Sequence, residues 1–140
     1  MAADDRPRPA KIALADVPIT PAADAVTKVR IARLITRQRH GSNLLLGASW
    51  FDPGEETNLW SSAEENDMGD GDHWYGPVDE TYFIIRGRFE LEWSDDAGER
   101  GVLELGPDDA VFLAPRWHYR LRCVSDEPGF FVYGMTPTPE

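Results

Sequence analysis

Two strand-like runs that meet at Gly87 constrain the fold of this chain more than any other feature. Residues 80–85 are rich in β-branched and aromatic side chains, and apolar residues alternate with glutamates over residues 89–93. Such patterns on either side of a glycine predict two strands of a β-hairpin. The first strand also carries Phe83 and Ile85 on its second face, so that face is expected to be covered by another sheet or by a partner subunit.

The rest of the chain repeats this pattern of short strands and turns. Further apolar runs occupy residues 42–51, 102–105, 111–114, 118–123 and 130–133, and segments rich in Gly, Pro and Asp separate most of them. No segment has the pattern of a long helix. Short strands separated by turns at intervals of about 8–12 residues predict an all-β sandwich or barrel.

The length of 140 residues suits one domain with a single core. Residues 1–25 contain four prolines and are predicted to form an N-terminal arm, loosely ordered or laid along the surface. The β domain then covers residues 26–140. An acidic loop insertion is predicted near residues 52–72.

Charge is distributed unevenly along the chain, whose net charge is −11. Residues 52–80 contain ten acidic side chains and no Lys or Arg. Residues 28–40 are basic, and we interpret them as a solvated face or a contact with the acidic region, because the net charge opposes association with nucleic acid.

The sequence predicts a cytoplasmic protein. Residues 1–10 are not followed by the apolar stretch of a signal peptide, and no segment approaches the roughly 20 apolar residues of a membrane-spanning helix. Cys123 is the single cysteine, so an internal disulfide is excluded and a reducing compartment is favoured.

The spacing of His73, Tyr75, Glu80 and Gly87 resembles the first motif of the cupin superfamily. That motif reads His-x-His, three or four residues, Glu, six residues, Gly. Tyr75 stands where the family has its second histidine. The resemblance implies a double-stranded β-helix, or jelly-roll barrel, with a functional site inside it.

Residues 109–119 resemble the second cupin motif, which reads Gly or Asp, five residues, Pro-x-Gly-x-x-His. Asp109 and Pro115 match it, and the glycine is absent. Tyr119 takes the histidine position if the turn is one residue shorter than in the family, and His118 takes it if the turn is two residues shorter. Strand alternation favours an inward Tyr119, whereas a bulge before the strand would turn His118 inward.

The resemblance also implies a set of site residues. Carried over by position, the candidate ligands of one divalent transition metal ion (Fe, Mn, Ni or Zn) are His73, Glu80 and, if it faces inward, His118. The alternative is a metal-free site in which His73 is a general base or a hydrogen-bonded pocket residue oriented by Glu80. The candidate catalytic residues are His73, Glu80 and Tyr75.

An aromatic pocket is expected around this cluster, with Trp117 near its mouth. The acidic loop is interpreted as a flexible polar loop, and the alternative is a lid over the pocket that carries Trp60. The candidate substrate-binding residues are Tyr119, Tyr82, Trp93 and Trp60. The function predicted is a cupin that binds a small organic molecule, either as a metal-dependent dioxygenase, isomerase or lyase, or as a metal-free ligand-binding or sensing protein. A homodimer formed through the face that bears Phe83 and Ile85 is expected for both.

Overall fold

The computed structural model describes residues 5–21, 29–59 and 78–138. Its strands are β1 (Thr20–Pro21), β2 (Arg30–Ile35), β3 (Leu45–Phe51), β4 (Asp79–Arg86), β5 (Phe89–Ser94), β6 (Arg100–Leu105), β7 (Ala110–Leu113), β8 (His118–Cys123) and β9 (Gly129–Thr136). A 3₁₀ turn at Leu14–Asp16 and helix α1 (Arg37–His40) are the helical elements in these ranges. Neither is long or apolar enough to cross a membrane.

The strands form two antiparallel sheets, which confirms the all-β prediction. The larger sheet has the order β1-β2-β3-β9-β4-β7, and the smaller sheet has the order β6-β5-β8. Inward side chains of both sheets share one hydrophobic core. This is the double-sheet architecture of a jelly roll.

The prediction that β4 and β5 form a hairpin is wrong. Both strands exist, but β4 pairs with β7 and β9, whereas β5 pairs with β6 and β8. Gly87 lies between them with a φ of +80° and carries the chain from one sheet to the other. A Cβ at Gly87 would lie 2.7 Å from the Cα of Gly129, so the backbones approach too closely there for a side chain.

Phe131 lies at the centre of the core, on the inner face of β9. Its ring centroid is 4.4 Å from that of Tyr82, 5.4 Å from Phe89 and 5.8 Å from Phe51. Side chains of Phe131 and its neighbours come from both sheets, so this aromatic cluster joins the two layers. Tilted and edge-to-face pairs at such distances add to the stabilisation from burial.

The outer face of the smaller sheet carries cross-strand ion pairs between β5 and β8. Arg122 lies 3.4 Å from Glu90, and Arg120 lies 3.8 Å from Glu92. Exposed pairs of this kind contribute little to stability. They do show which side of β8 faces solvent, and Tyr119 and Leu121, which alternate with these arginines along the strand, are buried.

Part of the outer face of the larger sheet is exposed and apolar. Phe83 is 41% exposed, Ile85 42% and Phe112 61%. No second sheet covers these side chains within the described ranges. The homodimer expected through this face stays a prediction.

The predicted arm and loop are only partly described. Thr20 and Pro21 pair with Ile31 and Arg30 of β2, so the end of the predicted arm joins the larger sheet. Most of the predicted acidic loop lies outside the described residues. The domain bounds given above stay a prediction.

Candidate functional site

The described residues include five of the eight predicted site residues. Glu80, Tyr82, Trp93, His118 and Tyr119 are described, whereas His73, Tyr75 and Trp60 lie outside the described ranges. The described part of the site therefore consists of inward-facing residues of β4 and β8 and of the strands beside them.

Glu80 points into the protein from the start of β4. The strand alternates exposed and buried residues, and Glu80 lies on the same inward face as Tyr82 and Ile84. Its exposed fraction is 7%, and its neighbours across the sheet are Leu113 of β7 and Met135 of β9. A carboxylate among apolar side chains can orient a ligand, move a proton or help to hold a cation.

Tyr119 points inward from β8, as strand alternation predicted. Its exposed fraction is 4%, and its hydroxyl donates a hydrogen bond of 2.5 Å to the carbonyl oxygen of Ala114. Burial, and secondarily the negative charge of Glu80, raises the pKa of Tyr119 to about 12. Tyr119 is therefore a neutral phenol at physiological pH, which makes it a hydrogen-bonding group rather than a phenolate.

His118 lies on the opposite face of β8. Its Nε2 atom is 3.2 Å from Oδ1 of Asp96, in the turn that follows β5, and its side chain is partly exposed. No bulge turns the strand, since His118 and Tyr119 keep direct register with Ser94 and Trp93 of β5. The structure thus places Tyr119, and not His118, on the same side of β8 as the core.

An apolar cleft of about 320 Å³ lies beside Tyr119. It is lined by Leu91, Trp93, Leu103, Phe112, Ala114, Trp117 and Tyr119. Its lining comes from β5, β6, β7, β8 and the turn before β8. In the described residues β6 is an edge strand of the smaller sheet and β7 an edge strand of the larger one, so the cleft opens where the two sheets part.

Two tryptophans fix the shape of the cleft. The rings of Trp93 and Trp117 lie at 85° to each other with centroids 5.1 Å apart. Trp93 also pairs across the sheet with Gly101 of β6, and a Cβ there would lie 2.4 Å from Cζ2 of the indole. Gly101 therefore leaves the space in which the Trp93 ring lies.

Sequence comparison finds no relative for this chain. No family model matches it, and no curated protein matches it.

Solved structures do match, over most of the chain. Drosophila melanogaster CENP-C bound to CAL1 matches 88% of this chain and 82% of its own, with a TM-score of 0.63 and 13% identity. A protein described as a predicted oxalate decarboxylase from Thermotoga maritima matches 91% of this chain and 99% of its own, with a TM-score of 0.65 and 13% identity. KdgF from Halomonas sp. matches 95% of this chain and 97% of its own, with a TM-score of 0.65 and 14% identity. The chain has a cupin fold.

The metal-ligand set that the cupin motifs imply does not fit this chain in full. Glu80 faces the interior, but His118 faces outward toward Asp96, so the two cannot share an ion. Tyr119 occupies the inward position as a neutral phenol bound to Ala114. Among the described residues, no group of three or more His, Cys, Asp or Glu side chains is placed to hold a metal ion. The role of His73 stays a prediction.

The predicted substrate-binding residues divide between the cleft and the core. Trp93 and Tyr119 line the cleft together, as does Trp117, which was expected near the mouth of the pocket. Tyr82 packs against Phe131 in the core and is not part of the cleft lining.

Sequence reasoning missed Leu103 and Phe112 as cleft residues. They lie on β6 and β7, edge strands of different sheets, and nothing local in either strand indicates that both contribute to one cleft. The signal available in the sequence was an aromatic residue, Phe112, on the strand face opposite to that of Val111 and Leu113.

The raised pKa of Tyr119 predicts an alkaline loss of stability. A phenol whose pKa is about 12 in the folded protein, against an ordinary value of 10.0 in the unfolded chain, adds stability that is present below about pH 10 and lost as the pH rises through about 12. One pKa unit is worth about 1.4 kcal/mol, and partial solvent screening reduces this. Between about pH 9 and about pH 12, we expect wild type to lose roughly 1–2 kcal/mol more unfolding free energy than Tyr119→Phe.

Urea unfolding at a series of pH values measures this difference, and absorbance at the phenolate band follows the ionisation directly. The Tyr119→Phe protein is the reference, since it keeps the ring and removes the hydroxyl. Equal alkaline losses in both proteins would contradict the environment assigned to Tyr119.

Proposed function

We propose that this protein is a small-molecule-binding cupin whose ligand occupies the aromatic cleft beside Tyr119. The observation that carries the proposal is the lining of the cleft, which is apolar and aromatic on its walls with one phenol hydroxyl at its inner end. Ligand sites in proteins commonly combine mostly apolar walls with a few fixed polar groups. The volume of about 320 Å³ lies at the lower end of the usual range for such sites.

The position of the cleft supports this role. Its lining includes Leu103 of β6 and Phe112 of β7, which are edge strands of the two sheets within the described ranges. Phe112 and Leu103 flank the opening and are 61% and 42% exposed, which leaves apolar surface for a ligand to cover. Removing apolar surface from water stabilises a complex by about 25 cal/mol per Å² before the costs of association are subtracted.

Gly101→Ala tests the proposal by filling the space behind one wall of the cleft. The added Cβ would lie 2.4–2.9 Å from three atoms of the Trp93 indole, so the ring must move. We expect the affinity for N-phenyl-1-naphthylamine, a neutral probe that fluoresces in apolar surroundings, to fall by at least about tenfold. Fluorescence titration of wild type and variant gives both dissociation constants.

Gly134→Ala is the matched control. Its Cβ would make only ordinary contacts, at 3.6 Å from the Leu45 carbonyl oxygen and from Thr81 Oγ1. Probe affinity should stay at the wild-type value in this variant. Equal affinities in wild type and Gly101→Ala, or no binding to wild type, would overturn the proposal.

Catalysis and a metal remain narrower proposals within this function. A divalent transition metal ion would have to be held by His73 and Glu80 without His118, since His118 lies on the outer face of β8. If the site is catalytic, Glu80 is the described residue best placed to move a proton, because it is buried and close enough to Tyr119 to affect its pKa.

A homodimer is part of the proposal as well. The exposed rings and aliphatic groups of Phe83 and Ile85 form an apolar patch on the outer face of β4, and a second copy of the chain would cover it. Phe83 and Ile85 are not part of the cleft lining, whereas their neighbour Phe112 is.

A further inference from the structure

Among the described residues, four aromatic rings line the cleft, and no cationic side chain does. Trp93, Trp117, Tyr119 and Phe112 belong to its lining, and the other described lining residues are Leu or Ala. A neutral apolar ligand would use such walls only as hydrophobic surface. An organic cation would also be attracted by the negative faces of the rings.

The arrangement of the rings suits a compact cation. The planes of Trp93 and Trp117 are nearly perpendicular, at 85°, in an edge-to-face contact, so their faces point in two directions and the contact covers part of one face only. Tyr119 is the direct cross-strand neighbour of Trp93, and its ring is held by the hydrogen bond to Ala114. Rigid aromatic walls that meet at an angle are the arrangement by which proteins recognise quaternary ammonium groups.

The electrostatic surroundings favour the same ligand. Glu80 lies close enough to Tyr119 for its negative charge to contribute to the raised pKa of that phenol. The chain as a whole carries a net charge of −11, which attracts cations and repels anions over a longer range. A carboxylate or phosphate ligand would enter this cleft without any cationic partner in its described lining.

We propose that the ligand of the aromatic cleft is an organic cation that carries an alkylated ammonium group. This inference rests on the proposed function, because it names the chemical class of the ligand in the same cleft. The cation would lie against the faces of Trp93 and Trp117, with Tyr119 at the inner end of the cleft.

Choline and 3,3-dimethylbutan-1-ol test the inference, since they have the same shape and differ in the charge of one central atom. Isothermal titration of wild type with each compound should show choline binding about tenfold more tightly or better. Trp117→Leu keeps an apolar wall and removes the π face, so it should reduce the affinity for choline by a larger factor than the affinity for the neutral alcohol. Trp117→Phe should restore most of the preference.

Binding of the neutral alcohol as tightly as choline, or the same preference in Trp117→Leu, would overturn the inference. The proposed function would survive either result if N-phenyl-1-naphthylamine still binds in the cleft. Failure of wild type to bind choline while it binds that neutral probe would also overturn the inference alone, whereas loss of binding by all three compounds would overturn both.

Discussion

Phe131→Ala is expected to lower the free energy of unfolding by about 3–5 kcal/mol. The side chain is 3% exposed, and its ring packs against those of Tyr82, Phe89 and Phe51, which come from both sheets. Truncation removes the apolar contacts of a buried ring and leaves a cavity where the two layers meet. Urea unfolding followed by tryptophan fluorescence measures the loss.

Phe112→Ala is the matched control for this prediction. It is the same substitution on a ring that is 61% exposed, and we expect a change within about 0.5 kcal/mol. Comparable losses in the two variants would show that Phe131 does not have the central position in the core described above.

Gly87→Ala is expected to destabilise the protein by about 2–5 kcal/mol. Two effects add, because the φ of +80° strains any L side chain and the new Cβ would lie 2.7 Å from the Cα of Gly129. The first effect costs about 1–2 kcal/mol, and forcing two backbone segments apart costs typically 1–3 kcal/mol. The crossing of the chain between the sheets depends on this close approach.

Gly54→Ala separates the two effects. Gly54 has nearly the same backbone conformation, with a φ of +84°, but a Cβ there meets nothing within 4 Å. Its unfolding free energy should fall by about 1–2 kcal/mol only. If both alanine variants lose the same amount, the contact between Gly87 and Gly129 contributes nothing and the reason given for the crossing is wrong.

Strand positions and faces could be predicted because they depend on local alternation. In β4 and β8 every second side chain is buried, so the inward positions of Glu80, Tyr82 and Tyr119 followed from parity. The same rule placed His118 outward, and no bulge overrides it. A metal role for His118 would require a bulge that turns its side chain inward, and β8 has no such bulge.

Strand partners could not be predicted in the same way. A glycine between two strands, such as Gly87, predicts a hairpin turn. In the structure its positive φ instead allows the chain to cross from one sheet to the other, and the backbone of Gly129 lies against it. That contact joins residues far apart in sequence. Patterns of period two identify which face of a strand is buried, but they carry no information on which strand lies beside it.

The residues of the cleft also divide into those that strand alternation predicts and those that depend on how the strands are arranged. Trp93 and Tyr119 were predicted as inward aromatic residues, and their direct cross-strand pairing brings them together. Leu103 of β6 and Phe112 of β7 line the same cleft, although the two strands belong to different sheets, and this depends on how the sheets are placed in the whole fold. The roles predicted for His73, Tyr75 and Trp60 lie outside the described residues and stay predictions.

The central claim is that ligands bind against Trp93 and Trp117, and the indole N–H signals of the five tryptophans test it most directly. In a ¹⁵N-labelled sample titrated with choline, assigned by single Trp→Phe variants, the signals of Trp93 and Trp117 should shift together and saturate. The signal of Trp50, which packs 5.2 Å from Phe130 outside the cleft, should stay in place. Saturable shifts at Trp50 with none at Trp93 and Trp117 would contradict the account.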